Sequence, residues 1–218
     1  MNLEAAKKAQ IELCETSKKM YHSGLVAGTW GNLSVRIDED YCVVTPSGMS
    51  YDSLCPDDMV IMNMHDNSTN SHRKPSIEYA MHTGLLLAHP ELNAVVHTHS
   101  TYALTIAAAG IELPPVCDDQ VQILGGSVPI TPPVVPGSIE MANAVIAAME
   151  TKMGCFIPNH GAVTLGATLE KALVAANVLE KSCQVFLMSQ LIGGPVLLKQ
   201  DEIDDMRDFF LHRYGQGK

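Results

Sequence analysis

Strand-like and helix-like segments follow one another along this chain without a repeating rhythm, and that irregular order restricts the fold more than any other feature. Residues 41–45, 59–64, 94–97, 127–131, 155–157 and 162–165 are short apolar runs that read as strands, and residues 26–36 are a loop running into another. Longer stretches carry apolar residues near helical spacing. They are 3–23, stopped by Gly24; 76–88, with Ser76 as N-cap and His89-Pro90 as the end; 102–109; 139–152; a segment capped by Thr168 and reaching about Ile192; and 201–213. A doubly wound parallel sheet needs strand and helix to alternate evenly, and these segments do not. The expected fold class is therefore α/β, a three-layer α/β/α arrangement with a mostly antiparallel central sheet.

The 218 residues are enough for one full hydrophobic core, and a single domain over 1–218 is expected. Hydrophobic content of 46% against 17% charged residues excludes a disordered or fibrous chain. No apolar run reaches the ~20 residues needed to cross a bilayer, and the first residues form an amphipathic pattern unlike a secretion signal. Cys14, Cys42, Cys55, Cys117, Cys155 and Cys183 are scattered, with no C-x-x-C pair, so free buried thiols in a reducing cytoplasm are expected. A net charge of −10 without a basic stripe argues against nucleic acid or an anionic membrane as partner. It leaves room for a phosphorylated small molecule in a locally positive pocket.

The chemistry concentrates around His97-Thr98-His99, just past the apolar run 94–97. Side chains at i and i+2 of an extended backbone point to the same side, so both imidazoles can reach one ion while Thr98 turns away. His160 sits in Pro158-Asn159-His160-Gly161 between two predicted strands, and Glu78 lies near the start of the helix leading to the His97 strand. Three imidazoles and a carboxylate suit Zn²⁺, with Mn²⁺, Co²⁺ or Fe²⁺ as substitutes. The plainer alternative is that these histidines are structural, as a single histidine more often is; His22, His65, His72 and His212 read as surface residues. Small β-barrel metal enzymes also use H-x-H, but helical sequence around Glu78 and after His99 counts against a barrel.

Five segments, in order, resemble the class II aldolase/epimerase superfamily, which includes aldolases, 4-epimerases and the adducin head domain. They are Gly28-Thr29-Trp30-Gly31-Asn32-Leu33-Ser34, Thr45-Pro46-Ser47-Gly48, Lys74-Pro75-Ser76-Ile77-Glu78, Ala94-Val95-Val96-His97-Thr98-His99 and Asn159-His160-Gly161. The 19-residue interval from Glu78 to His97 also agrees with the aldolase pattern. The resemblance implies that His97, His99 and His160 bind zinc, and that Glu78 ligates the resting metal and becomes the base once substrate displaces it. It implies a substrate-phosphate cradle of Gly31, Asn32, Ser47, Gly48 and Ser76. Backbone N–H groups, neutral side-chain donors and a helix N-terminus are physically suited to that task, although the same residue types also build ordinary turns.

Three departures set this chain apart. Ile77 stands where the family commonly has a second serine; the catalytic tyrosine of fuculose-phosphate aldolase would fall at Asp118; and the catalytic aspartate of the epimerase would fall at Gln122. The tail Tyr214-Gly215-Gln216 resembles the epimerase terminus, whose tyrosine serves a neighbouring subunit's site. What the resemblance implies is a cytoplasmic homotetramer with sites between subunits. Each chain would carry out reversible aldol cleavage of a sugar phosphate of the fuculose 1-phosphate kind, with Glu78 and Tyr214 moving protons. Epimerisation of L-ribulose 5-phosphate and decarboxylation of a sugar-acid phosphate are alternatives on the same scaffold. A non-catalytic adducin-like module is a more distant one, since such domains lose the metal ligands retained here.

Overall fold

Every residue of the strand carrying His97, β4 (Ala94–Thr98), is buried, and the reason is its place in the sheet. In the computed structural model, which describes residues 2–216, β4 is an inner strand hydrogen-bonded on both sides. Its neighbours are β1 (Asn32–Arg36) and β6 (Gly161–Gly166). Outside them lie β2 (Tyr41–Val44), β3 (Val60–Asn63) and β5 (Gly154–Ile157). The spatial order is β3-β2-β1-β4-β6-β5, and all neighbouring pairs are antiparallel.

Helices cover both faces, giving the three layers expected from the order of segments. On one face α2 (Tyr79–Ala88) and α5 (Ile139–Met149) pack Met81, Leu85, Val145 and Met149 against Val44, Val95 and Val163. On the other, α1 (Leu3–His22) and α6 (Leu169–Gln190) bring Leu13, Met20, Leu169 and Ala172 against Leu33, Val43 and Val96. Beside α6 on this face, α3 (Thr101–Ala109) packs Ile106 against Phe156 and Ala162. The period of two along β4 is thus visible directly, with Val95 in one cluster and its neighbours Ala94 and Val96 in the other. Burying one such valine or leucine is worth ~1.5–3 kcal/mol. Two further helices, α4 (Asp118–Leu124) and α7 (Gln200–His212), pack together at the outer side.

Several local expectations change. The helix expected from Ser76 starts at Tyr79, because Ile77 and Glu78 form a preceding turn over which Ser76 Oγ accepts from the Glu78 N–H at 3.3 Å. Residues 127–131 make only isolated bridges, Val128 to Leu113 and Ile130 to Phe156, because Pro129 has no N–H to continue a ladder. Helix α4 forms where no helix or strand is expected from the sequence pattern. Asp118 and Asp119 occupy its first turn, where acidic side chains favour the helix dipole, and Gly125 ends it at φ +85°. Cys14, Cys42, Cys155 and Cys183 are buried as free thiols, but Cys55 is exposed and Cys117 half-buried. No helix among the described residues is long and apolar enough to cross a membrane.

Candidate metal centre and substrate cleft

Four separate segments meet at one end of the sheet. Asn32 opens β1 and pairs in register with His97 near the end of β4, so the two side chains are neighbours across the ladder. The β5–β6 hairpin closes through Pro158-Asn159-His160, with Ile157 opposite Gly161, and its loop carries His160 to the same end. Glu78 sits at the N-cap position of α2 and makes no side-chain cap bond, its carboxylate being turned to the imidazoles instead. Gly161 explains how the hairpin comes so near: a Cβ there would lie 2.2 Å from the Thr98 carbonyl oxygen and 3.3 Å from both the His97 and His99 rings.

The resulting cluster is tight. His97 Nε2 lies 2.9 Å from His99 Nε2 and 3.2 Å from His160 Nε2. Glu78 Oε2 is 3.3 Å from His97 Nε2, and Glu78 Oε1 is 3.0 Å from His160 Nε2. The Nδ1–H of His97 donates to the Ala162 carbonyl at 3.0 Å, which leaves Nε2 as a bare lone pair in the neutral ring. Burial pushes His97 below the usual histidine range, and burial with the neighbouring imidazoles pushes His99 down to about 3. Burial opposes the charge on Glu78, yet the neighbouring His97 and His160 rings and a hydrogen bond from Asn32 outweigh it and hold the carboxyl well below its ordinary value. Neutral imidazoles and an ionised carboxylate are the ligating forms.

Lone pairs aimed at one another across about 3 Å repel unless a cation lies among them. The separations here approach the ~3.3 Å edge of a tetrahedron built from ~2.0 Å ligand bonds. Glu78 Oε1 is moreover buried without a hydrogen-bond partner, as expected of a ligand atom. His97, His99 and His160 therefore form a group that could hold a metal ion, with Glu78 as a fourth donor beside them.

The cluster opens into a cleft of about 860 Å³, a size suited to a small metabolite. Gly31, Asn32, Ser47, Gly48 and Ser76, the five residues expected to cradle phosphate, all line it together with Glu78, His99 and His160. Ser47 and Gly48 are exposed on their turn, and Ile77 is 66% exposed beside them. An apolar stretch of Leu104, Pro133, Val134 and Pro136 completes the lining. Asp118, Gln122 and Tyr214 do not line it. Asp118 and Gln122 lie on α4, and Tyr214 follows α7, its ring against Phe209 and Phe210. His22, His65, His72 and His212 are exposed as expected.

Sequence reasoning passed over three contributors. Trp30, 66% exposed on the cleft, has its ring centroid 5.8 Å from that of His99. Glu180 of α6 accepts from Ser100 Oγ (2.6 Å) and from the Tyr102 and Ala103 N–H groups (2.9 and 2.8 Å), capping α3 directly after His99. His82 is fully buried on α2, and burial pushes it down to about 3, so it is neutral. Its position four residues after Glu78 on one helix face was the signal available.

Known proteins resemble this chain in sequence and fold. The model of the class II aldolase and adducin N-terminal domain matches residues 11–187. A 5-deoxy-D-ribulose 1-phosphate aldolase of Bacillus thuringiensis serovar kurstaki is 34% identical over 210 residues, covering 96% of this chain and 98% of the relative. An L-ribulose-5-phosphate 4-epimerase of Salmonella paratyphi B is 30% identical over 224 residues, covering 95% and 96%. The solved structure of an L-fuculose 1-phosphate aldolase superposes with a TM-score of 0.90 at 27% identity, covering 94% of this chain and 96% of that one. With its three-layer fold, its histidine cluster and these relatives, the chain belongs to the class II aldolase and adducin family.

Proposed function

We propose that this chain is a zinc-dependent aldolase that reversibly cleaves a ketose 1-phosphate of the L-fuculose 1-phosphate kind into dihydroxyacetone phosphate and a methyl-ended aldehyde. The observation that carries this is the convergence of Glu78, His97, His99 and His160 on one point of a cleft lined by neutral donors and an apolar stretch. Those four residues would hold the metal, with Mn²⁺, Co²⁺ or Fe²⁺ as substitutes for zinc. Zn²⁺ supplies Lewis-acid stabilisation of the negative charge that builds on the ketone oxygen as the carbon–carbon bond breaks.

The residues of the chain do the rest. Glu78 delivers the proton to the carbon of the ketone fragment in cleavage and removes it in condensation. Tyr214, reaching a neighbouring subunit's cleft, takes the proton of the hydroxyl that becomes the aldehyde. Gly31, Asn32, Ser47, Gly48 and Ser76 hold the phosphate and contribute binding common to substrate and transition state. The working protein is then a cytoplasmic homotetramer of single-domain chains.

The lining supports this substrate class. L-fuculose 1-phosphate and the 5-deoxyribulose 1-phosphate named for the Bacillus relative both release aldehydes ending in a methyl group, which suits Leu104, Pro133, Val134 and Pro136. Epimerisation of L-ribulose 5-phosphate is the second reading, favoured by the Salmonella relative and the Tyr214-Gly215-Gln216 tail. Purified protein should be offered L-fuculose 1-phosphate, 5-deoxyribulose 1-phosphate, L-ribulose 5-phosphate and a 3-oxo-tetronate phosphate. Aldehyde release from the first two is expected. Inversion at the fourth carbon without net cleavage, or CO₂ release, would replace the aldolase reading by the epimerase or the decarboxylase.

A further inference from the structure

Behind Glu78 runs a buried chain of hydrogen bonds that no catalytic step above uses. Asn32 Nδ2 donates to Glu78 Oε2 at 2.6 Å, His82 Nε2 meets Asn32 Oδ1 at 2.5 Å, and Ser34 Oγ meets His82 Nδ1 at 2.7 Å. Ser34 and His82 are completely buried, Glu78 is 5% exposed and Asn32 6%. The direction of each bond follows from the one before. A carboxylate only accepts, so Asn32 must present its NH₂ to Glu78 and its carbonyl to His82. The carbonyl only accepts, so His82 must donate through Nε2–H. Nδ1 of the neutral ring is then an acceptor, and the Ser34 hydroxyl donates to it.

We infer that His82 is a positioning residue: through Asn32 it fixes which oxygen of Glu78 is tethered, beside His97, and which is left free toward His160. Without the His82 donor the Asn32 carbonyl is left buried and unpaired, and only its repulsion from the carboxylate when flipped still holds the amide in place. With it, Oε2 is held from behind, and Oε1 is left at 3.0 Å from His160 Nε2 with no hydrogen-bond partner. The register that pairs Asn32 with His97 ties the same tether to the ligand strand. The inference rests on the proposed role of Glu78 as ligand and base. It adds that the tether maintains both the zinc affinity of the resting site and the aim of the base when substrate displaces the carboxylate.

The test is a double-mutant cycle read on two scales, Zn²⁺ affinity of metal-depleted protein by chelator competition and steady-state turnover. His82→Phe fills the space without the donor and should weaken Zn²⁺ binding ~10–100-fold, the range for loss of an outer partner of a ligand. It should lower kcat by a comparable factor while KM changes less than about threefold. His82→Gln, which restores an N–H donor, should recover most of both. In an Asn32→Ala background His82→Phe should cost nothing further, because the path to Glu78 is already cut. An undiminished cost in that background, or wild-type Zn²⁺ affinity in folded His82→Phe, overturns the inference. If His82→Phe does not fold, Ser34→Ala carries the same cycle, with an expected loss of affinity of about 2–5-fold. The Zn²⁺ arm needs no substrate. An intact affinity cycle without aldol cleavage would therefore overturn the proposed activity and leave the tether standing.

Discussion

His97 is completely buried at the end of a strand hydrogen-bonded on both sides, whereas Ser47 and Gly48, lining the same cleft, lie exposed on a turn. At the first place every neighbour is specified: the Ala162 carbonyl fixes the His97 tautomer, Gly161 admits the backbone, and Asn32 tethers Glu78. At the second, a Cβ added to Gly48 would meet nothing within 4 Å. The contrast separates what the fold commits to from what it leaves adjustable. A metal demands ligand atoms placed within a few tenths of an ångström, so its end of the cleft is locked into the sheet. A phosphate is large and solvated, and open donors on turns can bind it while the lining changes to suit different sugars.

If the locked end does the chemistry, damage there should fall on turnover. Glu78→Gln should lower kcat by ~10²–10⁴-fold while the protein still folds; full activity in this variant would remove Glu78 as the base. Gly161→Ala should cost ~2–3 kcal/mol in urea unfolding and lose the metal site, because its Cβ must push against the Thr98 carbonyl 2.2 Å away. Gly48→Ala, with free space but φ +67°, should cost only the ~1–2 kcal/mol of a left-handed residue. Equal effects at the two glycines would erase the distinction between the two ends.

The locked end should also be acid-sensitive. An unfolded chain protonates His82 at its ordinary value of 6.5, whereas the buried imidazole stays neutral down to about 3. Between those values the unfolded state binds more protons, so stability falls as pH drops, by up to ~1.4 kcal/mol per unit, and levels off below 3. Urea unfolding of metal-free protein between pH 7 and 4 should show that slope, reduced in His82→Gln. The smallest effect belongs to the rim. Ser47→Ala should raise KM for the sugar phosphate by about tenfold and leave kcat within a factor of two. A fall in kcat instead would place Ser47 with the reacting atoms.

The same contrast explains what was legible in the sequence. The period of two that aims His97 and His99 to one side, the glycine after His160 and the apolar strand before His97 are local patterns, and each survives folding unchanged. The antiparallel three-layer sheet followed from segment order for the same reason. What escaped depended on distant partners. Ser76 looks like an N-cap by residue type, but the turn it makes with Glu78 puts the helix start at Tyr79. Residues 127–131 have strand composition and find no continuous ladder to join. Asn32 carries a second role that residue type did not show, its amide donating to Glu78. His82 offered only its spacing from Glu78, and its partners Asn32 and Ser34 appear only when β1 lies against α2. Nor does Tyr214 line the cleft of its own chain; its ring packs on Phe209 and Phe210 instead.

Glu78, His97, His99 and His160, on the reading proposed above, form a single metal site that the fold holds ready. Metal-depleted protein titrated with Zn²⁺ against a chromophoric chelator tests it most directly, with His97→Ala measured alongside. One tightly bound Zn²⁺ per chain, lost in His97→Ala together with all aldol cleavage, is the predicted result. No stoichiometric uptake by the wild-type protein, or equal uptake by His97→Ala, would contradict it.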